Sequence, residues 1–187
     1  MTASTTELVV QAEDRRIAWL AAAAVGLGLA EAAIPSPIPG LKPGLANIVT
    51  LLVLLRYGWR LAVWVTLLRV VATALLLGSF LTPTFILSLT GALAALGVLG
   101  VFLRLAAFGL GPVGLSLLAA FAHVGMQLAV VDLWLLPGVS LLGLAPLFLT
   151  AAWASGLVNG LIVARLLHAD PQLSSPAQVG AEGRPVS

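Results

Sequence analysis

Long apolar runs constrain this chain more than any other feature of its sequence. The stretch from Leu61 to Phe80 holds about twenty residues, of which Arg69 alone is charged. A helix needs about 20 predominantly apolar residues to cross the hydrocarbon core of a bilayer. Only 9% of the 187 residues are charged, compared with about 25% in a typical soluble domain. Most of the protein surface is therefore expected to face lipid.

The apolar runs predict an all-α, polytopic membrane protein built as a bundle of six transmembrane helices. The second run is too short to cross a bilayer unaided, so we expect a half-helix there. A polar N-terminal tail (1–16) precedes the six-helix membrane domain (17–167), and a disordered C-terminal tail (168–187), rich in Pro, Ser, Ala and Gly, follows it. The predicted spans cover residues 17–34, 45–55, 61–80, 85–103, 111–131 and 141–166.

The arginines predict the orientation of these helices. If successive loops alternate between the two sides of the membrane, six arginines that lie outside or at the ends of the spans all fall on the same side. Lys42 and Asp132 fall on the opposite side. Cytoplasmic loops carry the excess of Lys and Arg in membrane proteins. Both termini are therefore expected in the cytoplasm. The arginines of this group are Arg15, Arg16, Arg56, Arg60, Arg104 and Arg165.

The segment EAAIPSPIPGLKPGLANI, from Glu31 to Ile48, interrupts the apolar pattern between the first two spans. It contains four prolines and two glycines beside Lys42 and Asn47. Irregular backbone at membrane depth must be buried in protein or line a cavity. Proline lacks one backbone donor, and glycine permits sharp turns. We predict a re-entrant loop that returns Lys42 and Asn47 toward Glu31, the alternative being a rigid outer loop without a ligand.

Ionisable residues within the spans are the first candidates for a binding site. Glu31 lies near the outer end of the first span, and Arg69 lies near the middle of the third. Such groups cost about 2.5–3.5 kcal/mol each on insertion scales. One hypothesis is a buried Glu31–Arg69 ion pair that stabilises the bundle. The other is that Arg69 and Lys42 attract an anionic group, because a guanidinium donates two parallel hydrogen bonds to a carboxylate or phosphate, while Glu31 orients the ligand or the cations.

Three uncharged side chains extend this candidate site. His123 and Gln127 are four residues apart in the fifth span, so they share one helical face. They serve either interhelical hydrogen bonds or ligand contact. Asn47 opens the half-helix, where it can bind an anion together with the backbone N–H groups of the helix start. The predicted substrate-binding residues are thus Glu31, Lys42, Asn47, Arg69, His123 and Gln127.

Several classes of chemistry lack their residues in this sequence. Cysteine is absent, and the second histidine, His168, lies outside the last span, so no metal-ligand cluster is expected. Neither a G-x-x-x-x-G-K-[ST] loop nor a cluster of aspartates is present. A net charge of +2 with scattered arginines argues against nucleic acid. We therefore expect no cofactor, no metal and no enzymatic activity in this chain alone.

Small residues recur in the first span. Ala22, Gly26 and Ala30 follow one another at intervals of four residues. This spacing lets two helix backbones approach closely. It indicates either packing inside the bundle or an interface with another membrane protein.

The motif E-x-x-I-P-x-P-I-P-G-L-K-P-G-L-A-N-I-V-T-L resembles the signature of the Gx transporters, a small family of bacterial membrane proteins also called heptaprenyl diphosphate synthase component I. The segments LRVVATALLLGS around Arg69, LSLTGALAA (87–95) and GPVGLSLLAAFAHVGMQ (111–127) match as well. The resemblance covers roughly residues 20 to 166. The family usually has Asn after the histidine, and here Val124 replaces it.

This family is similar to the S components of energy-coupling factor (ECF) vitamin transporters, which have six helices and cytoplasmic termini. The resemblance implies a bacterial inner-membrane protein with a pocket near the outer leaflet, capped by the loop after the first helix. It also implies that Ala22, Gly26 and Ala30 contact an energy-coupling membrane subunit that works with ATPases. The expected function is import of a small, anionic or isoprenoid-related molecule. The alternatives are a non-transporting accessory subunit of an isoprenoid or redox complex, and a prenyl-lipid enzyme that uses Glu31 and His123.

Overall fold

The computed structural model describes residues 12–33, 46–104, 109–135, 137, 143 and 145–169. These ranges are almost wholly helical, and no strand occurs within them. A π-helical turn (Val131–Leu135) extends the fifth helix. The helices are α1 (Ala12–Ala33), α2 (Ala46–Tyr57), α3 (Trp59–Leu76), α4 (Pro83–Arg104), α5 (Pro112–Val130) and α6 (Ala145–Ala169).

The structure confirms the expected all-helical architecture and the apolar character of the helices. The last four helices, α3 to α6, are long and apolar enough to cross a membrane. Many large apolar side chains point outward, among them Trp19 (74% exposed), Trp64 (56%) and Leu133 (79%). Lipid can cover such side chains at no hydrophobic cost. The protein is therefore embedded in a membrane.

The first two helices are the less regular part of the architecture. The apolar part of α1 covers Ala18–Ala30, and α2 has 12 residues. A helix of that length measures about 18 Å, against about 30 Å for the hydrocarbon core. A half-helix at α2 agrees with the short apolar run. The predicted re-entrant loop with Lys42, at residues 34–45, lies outside the described residues, so it stays a prediction.

Helix ends differ from the apolar runs where local chemistry intervenes. The helix α1 begins at Ala12 rather than at residue 17, and α3 ends at Leu76 rather than at residue 80. Gly78 has a φ of 64°, a left-handed conformation that glycine adopts at little cost. The backbone N–H of Ser79 then donates to the Ala74 carbonyl at 2.8 Å. The Thr82 hydroxyl donates to the Ser79 carbonyl at 2.6 Å, which closes the turn before α4.

Contacts between helices establish their directions. Thr50 and Thr66 share a hydrogen bond of 3.1 Å, while Arg69 donates to Asn47 one turn further along. Residue numbers fall along α2 while they rise along α3 from one contact to the next, so α2 and α3 are antiparallel. The same reasoning makes neighbours antiparallel in the pairs α3–α4, α4–α5 and α5–α6.

These directions collect all six of the expected arginines at one end of the bundle. Arg15 and Arg16 belong to the first turns of α1, and Arg165 lies near the end of α6. Arg56 and Arg60 flank the α2–α3 turn at Gly58, and Arg104 ends α4. We call this the arginine end. Asp132 lies near the opposite end, beyond α5.

The apolar core lies toward the arginine end. It joins the middle of α2 and the first turns of α3 to the last turns of α4 and α6. Val53, Val65 and Val163 are 0% exposed there. Aliphatic side chains packed this closely leave little room for water. The described helices are thus closely packed by aliphatic side chains at the arginine end, where Ser116 and Asn159 are also buried.

Glycines set the distance between α5 and α6. A Cβ at Gly160 would lie 2.6 Å from Cα of Val113, and one at Gly156 would lie 3.1 Å from Cα of Leu117. The two glycines are four apart on α6, and that spacing allows close backbone contact in membranes. The G-x-x-x-G spacing of Gly156 and Gly160 is visible in the sequence and was the available signal for this contact.

Replacement of Gly160 by alanine should separate α5 from α6. The added methyl group meets backbone atoms of Val113, which cannot rotate away, so we expect a loss of about 1–3 kcal/mol in unfolding free energy. Denaturation of the purified protein in detergent measures this loss. Gly125→Ala is the matched control, because a Cβ there meets no described atom within 4 Å. Equal stability of the two variants would show that α6 does not depend on this contact.

Candidate functional site

Arg69 lies at the centre of the candidate site. It is half-buried on α3, eleven positions into a helix of 18 residues. One guanidinium nitrogen, Nη2, donates to Oδ1 of Asn47 at 3.4 Å. This distance is near the long limit for a hydrogen bond, so the contact positions the guanidinium only loosely. A guanidinium has five N–H donors, and the bond to Asn47 uses one of them.

Asn47 is the second residue of α2 and is half-buried. The first N–H groups of a helix have no partners within the helix, and they carry a partial positive charge. The start of α2 therefore presents an amide and helix-end donors at the level of the Arg69 cation. This arrangement is the one expected from the half-helix, and it favours negative charge.

His123 and Gln127 line α5 where it contacts α4. Nε2 of Gln127 donates to the backbone carbonyl of Leu87 at 3.3 Å. The imidazole of His123 covers Gly91 so closely that a Cβ there would lie 2.8 Å from ring atoms. Interhelical hydrogen bonding is thus present for Gln127, as one of the two sequence hypotheses proposed. For His123 the structure shows an imidazole ring packed directly against α4 at Gly91, where the absence of a side chain leaves room for it.

The pair Asn47–Arg69 and the pair His123–Gln127 lie within electrostatic range of each other. Arg69 is close enough to His123 for their charges to interact. The buried Nδ1 of His123 has no hydrogen-bond partner among the described residues. We call Asn47, Arg69, His123 and Gln127 the polar cluster. Four of the six predicted site residues are therefore brought together from α2, α3 and α5, beside α4.

Glu31 and Lys42 complete the predicted set. The backbone of Glu31 belongs to the last turn of α1, three residues beyond Gly28. Gly28 lies against Thr73, one helical turn from Arg69, so α1 brings Glu31 to the end of the bundle away from the arginines. Lys42 and the Glu31 side chain lie outside the described residues. The choice between a Glu31–Arg69 ion pair and a ligand site stays a prediction.

Thr73 is a member of this region that the sequence reasoning missed. It lies four residues after Arg69 on α3, so both share one face. Its buried Oγ1 has no hydrogen-bond partner among the described residues, and it would lie 3.3 Å from a Cβ at Gly28. An unbonded hydroxyl inside a membrane bundle is unfavourable. The spacing from Arg69 was the available signal in the sequence.

The predicted partner residues form an open face of α1. Ala22, Gly26 and Ala30 are all exposed, and a Cβ at Gly26 would meet no described atom within 4 Å. Ala21 and Ala24, on the other side of the helix, are buried. Packing inside the bundle therefore does not use this small-residue stripe in the described part of the chain.

No metal centre is formed by the described residues, since they contain no group of three His, Cys, Asp or Glu side chains in reach of one ion. The donors at the polar cluster are a guanidinium, two amides and an imidazole. Such donors bind the oxygen atoms of an anion far better than they bind a cation.

The sequence was compared with families of known proteins and matches one of them. A family model described as heptaprenyl diphosphate synthase component I matches residues 20–166. That range includes the whole polar cluster and the open face of α1. No curated protein matches the chain significantly, and no solved structure does.

The contact between Gly91 and His123 can be tested with a double-mutant cycle. Gly91→Ala places a methyl group against the ring, so we expect a loss of about 1–3 kcal/mol in unfolding free energy. In the His123→Ala background the same change should cost little, because the ring is gone. Gly97→Ala, on the same helix with open space at its Cβ, is the control. Additive effects of the two substitutions would contradict the contact.

Proposed function

The chain belongs to the heptaprenyl diphosphate synthase component I family, and we propose that it binds a small anionic or isoprenoid-related molecule and transports it into the cell. The proposal is carried by one observation, the convergence of Arg69, Asn47 and His123 inside an otherwise apolar bundle. Ionisable groups at membrane depth mark substrate and ion pathways in many membrane proteins.

The positions of the apolar core and the polar cluster support entry of the ligand from the end opposite the arginines. The apolar core closes the arginine end, whereas the polar cluster lies in the half beyond it. The positive-inside rule assigns the arginine end to the cytoplasm. A ligand thus reaches Arg69 from the outer side, beneath the segment 34–45. Lys42 of this segment adds a second cation, and Glu31 orients the ligand or the cations.

The electrostatic balance supports an anionic cargo. Between Ala46 and Val130 the sequence contains four arginines and no carboxylate. The start of α2 adds the positive end of a helix next to Arg69. Broken helices of secondary transporters direct such N-termini at anionic groups of their substrates. A carboxylate or phosphate of the cargo would accept charge-assisted hydrogen bonds from such a cation.

The open face of α1 supports a partner for the transport cycle. We assign Ala22, Gly26 and Ala30 to an interface with an energy-coupling membrane subunit that is driven by ATPases. Exposed small residues at intervals of four allow a partner helix to approach closely.

The second candidate function is that of a non-transporting accessory subunit in an isoprenoid complex. The observation in its favour is the family's description as a component of heptaprenyl diphosphate synthase. In that case the polar cluster would stabilise the bundle, and no small molecule would be retained.

Arg69→Gln should abolish retention of the cargo. Mass spectrometry of small molecules that copurify with the protein measures this loss. A hydrogen bond to a charged group contributes about 1.5–3 kcal/mol, so at least about a tenfold drop in bound ligand is expected. Arg69→Lys keeps the charge but loses the bidentate geometry, and it should give an intermediate value.

Arg165→Gln is the matched control, because Arg165 is exposed at the arginine end. Its bound-ligand profile should equal that of the native protein. Unchanged retention in Arg69→Gln would remove Arg69 from the binding site. A native protein that carries no small molecule, yet copurifies with prenyl synthase subunits, would favour the accessory function.

Gly26→Phe should prevent the energy-coupling partner from docking without unfolding the protein. The new ring projects into open space, so the unfolding free energy should stay within about 0.5 kcal/mol of the native value. Copurification of the ATPase-bearing module from native membranes should be lost. Gly125→Phe introduces the same ring at another open helix position and should leave copurification intact. Equal copurification of both variants would place the partner elsewhere.

A further inference from the structure

A groove between α3 and α4 opens on the surface of the bundle at the arginine end. Its volume is about 290 Å³, and Trp59, Gly97, Gly100, Val101 and Leu103 line it. It is separate from the polar cluster, which lies toward the other end of the same helices. None of the functions argued above uses it.

The groove exists because α4 lacks side chains where it faces the start of α3. The Trp59 ring occupies the space beside Gly100, where a Cβ would lie 2.7 Å from a ring carbon. Gly97, one turn deeper, has open space instead, with no described atom within 4 Å of a Cβ. The Trp59 ring therefore forms one wall of the groove, and the missing side chain at Gly97 leaves empty space next to that ring.

The lining determines what the groove can hold. The side chains that line it are predominantly apolar, so its interior favours a hydrocarbon chain over a polar group. Trp59, Val101 and Leu103 are also partly exposed, at 39%, 54% and 37%. In a membrane such an opening faces acyl chains. Because Gly97 and Arg104 are seven residues apart, the groove descends about 10 Å from the end of α4 toward the bilayer centre. An acyl chain follows the same direction.

Two arginines directly follow residues that line this groove at the arginine end. Arg60 directly follows Trp59 in the first turn of α3 and is exposed. Arg104 directly follows Leu103, and its position lies on the same helical face as Gly97, Gly100 and Val101. Across α2, α3 and α4 the sequence contains no carboxylate to offset them. Anionic lipids concentrate in the cytoplasmic leaflet, and basic pockets between transmembrane helices bind their headgroups.

We propose that this groove is a binding site for an anionic phospholipid of the arginine-side leaflet, with an acyl chain along Gly97 and Gly100 and the phosphate at Arg60. The chain supplies apolar contact with the Trp59 ring. The exposed Arg60 selects the headgroup charge. The site is independent of the proposed transport function, and its loss would leave the polar cluster unchanged.

Native mass spectrometry of the detergent-purified full chain tests the proposal, with phosphatidylglycerol and phosphatidylcholine of identical acyl chains as probes. The native protein should retain phosphatidylglycerol preferentially. Arg60→Gln should reduce that preference about fivefold, as expected for the loss of one arginine near the surface. Arg165→Gln removes an exposed arginine at the same end, away from the groove, and should not change it.

A second pair of variants tests the acyl-chain part of the site. Gly97→Leu fills the hollow, and its Cβ meets no described atom within 4 Å, so retention of both lipids should fall. Gly125→Leu, at an open position of α5, should have no effect. Phosphatidylglycerol with a brominated acyl chain should quench tryptophan fluorescence, and Trp59→Phe should remove most of that quenching.

Three results would overturn the proposal. The first is equal retention of the two lipids by the native protein. The second is a Gly97→Leu variant that retains both lipids at native levels. The third is displacement of the bound lipid by inorganic diphosphate alone, which would show that the arginines hold a soluble anion rather than a lipid.

Discussion

The cost of placing a guanidinium within the bilayer governs how this bundle is arranged. An arginine at membrane depth must be held by polar groups of the protein or by water, since lipid offers neither donor nor acceptor. Arg69 meets Asn47 at the start of a half-helix and lies within electrostatic range of His123 on α5. Three helices therefore have to converge at one level. The start of the 12-residue helix α2 lies at the same level as Arg69.

Close glycine packing complements that polar convergence. Gly91 makes room for the His123 ring, and Gly160 brings α6 against Val113 of α5. Helices in lipid gain little from hydrophobic burial, so van der Waals contact and interhelical hydrogen bonds have to associate them. In this protein both act on α5. Its Gln127 donates a hydrogen bond to Leu87 of α4 on one side, and its Val113 packs against Gly160 of α6 on the other. The position of His123 relative to Arg69 thus depends on α4 and α6 as well as on its own helix.

The two ends of the bundle are suited to different tasks. Aliphatic packing around Val53 and Val65 closes the arginine end, and the lipid groove lies on its outer surface. The polar cluster lies toward the other end, where the proposed anionic cargo would enter. The proposed substrate site and the proposed lipid site are therefore separated along the same two helices, α3 and α4.

The sequence by itself determined the membrane class, the helix type and the concentration of arginines at one end of the bundle. These features follow from the length of apolar segments and the positions of charges along the chain, which are local properties. The sequence also identified Arg69, His123 and Gln127 as candidates, since polar residues within apolar runs stand out. Only the tertiary structure decided that Asn47 meets Arg69, that Gly91 holds the His123 ring, and that the α1 stripe with Gly26 is exposed while Gly156 and Gly160 are buried. Small residues at the same spacing serve lipid-facing and buried helix surfaces alike. Which surface is buried depends on the rotation of each helix against its neighbours, and that rotation is set by contacts far apart in the chain.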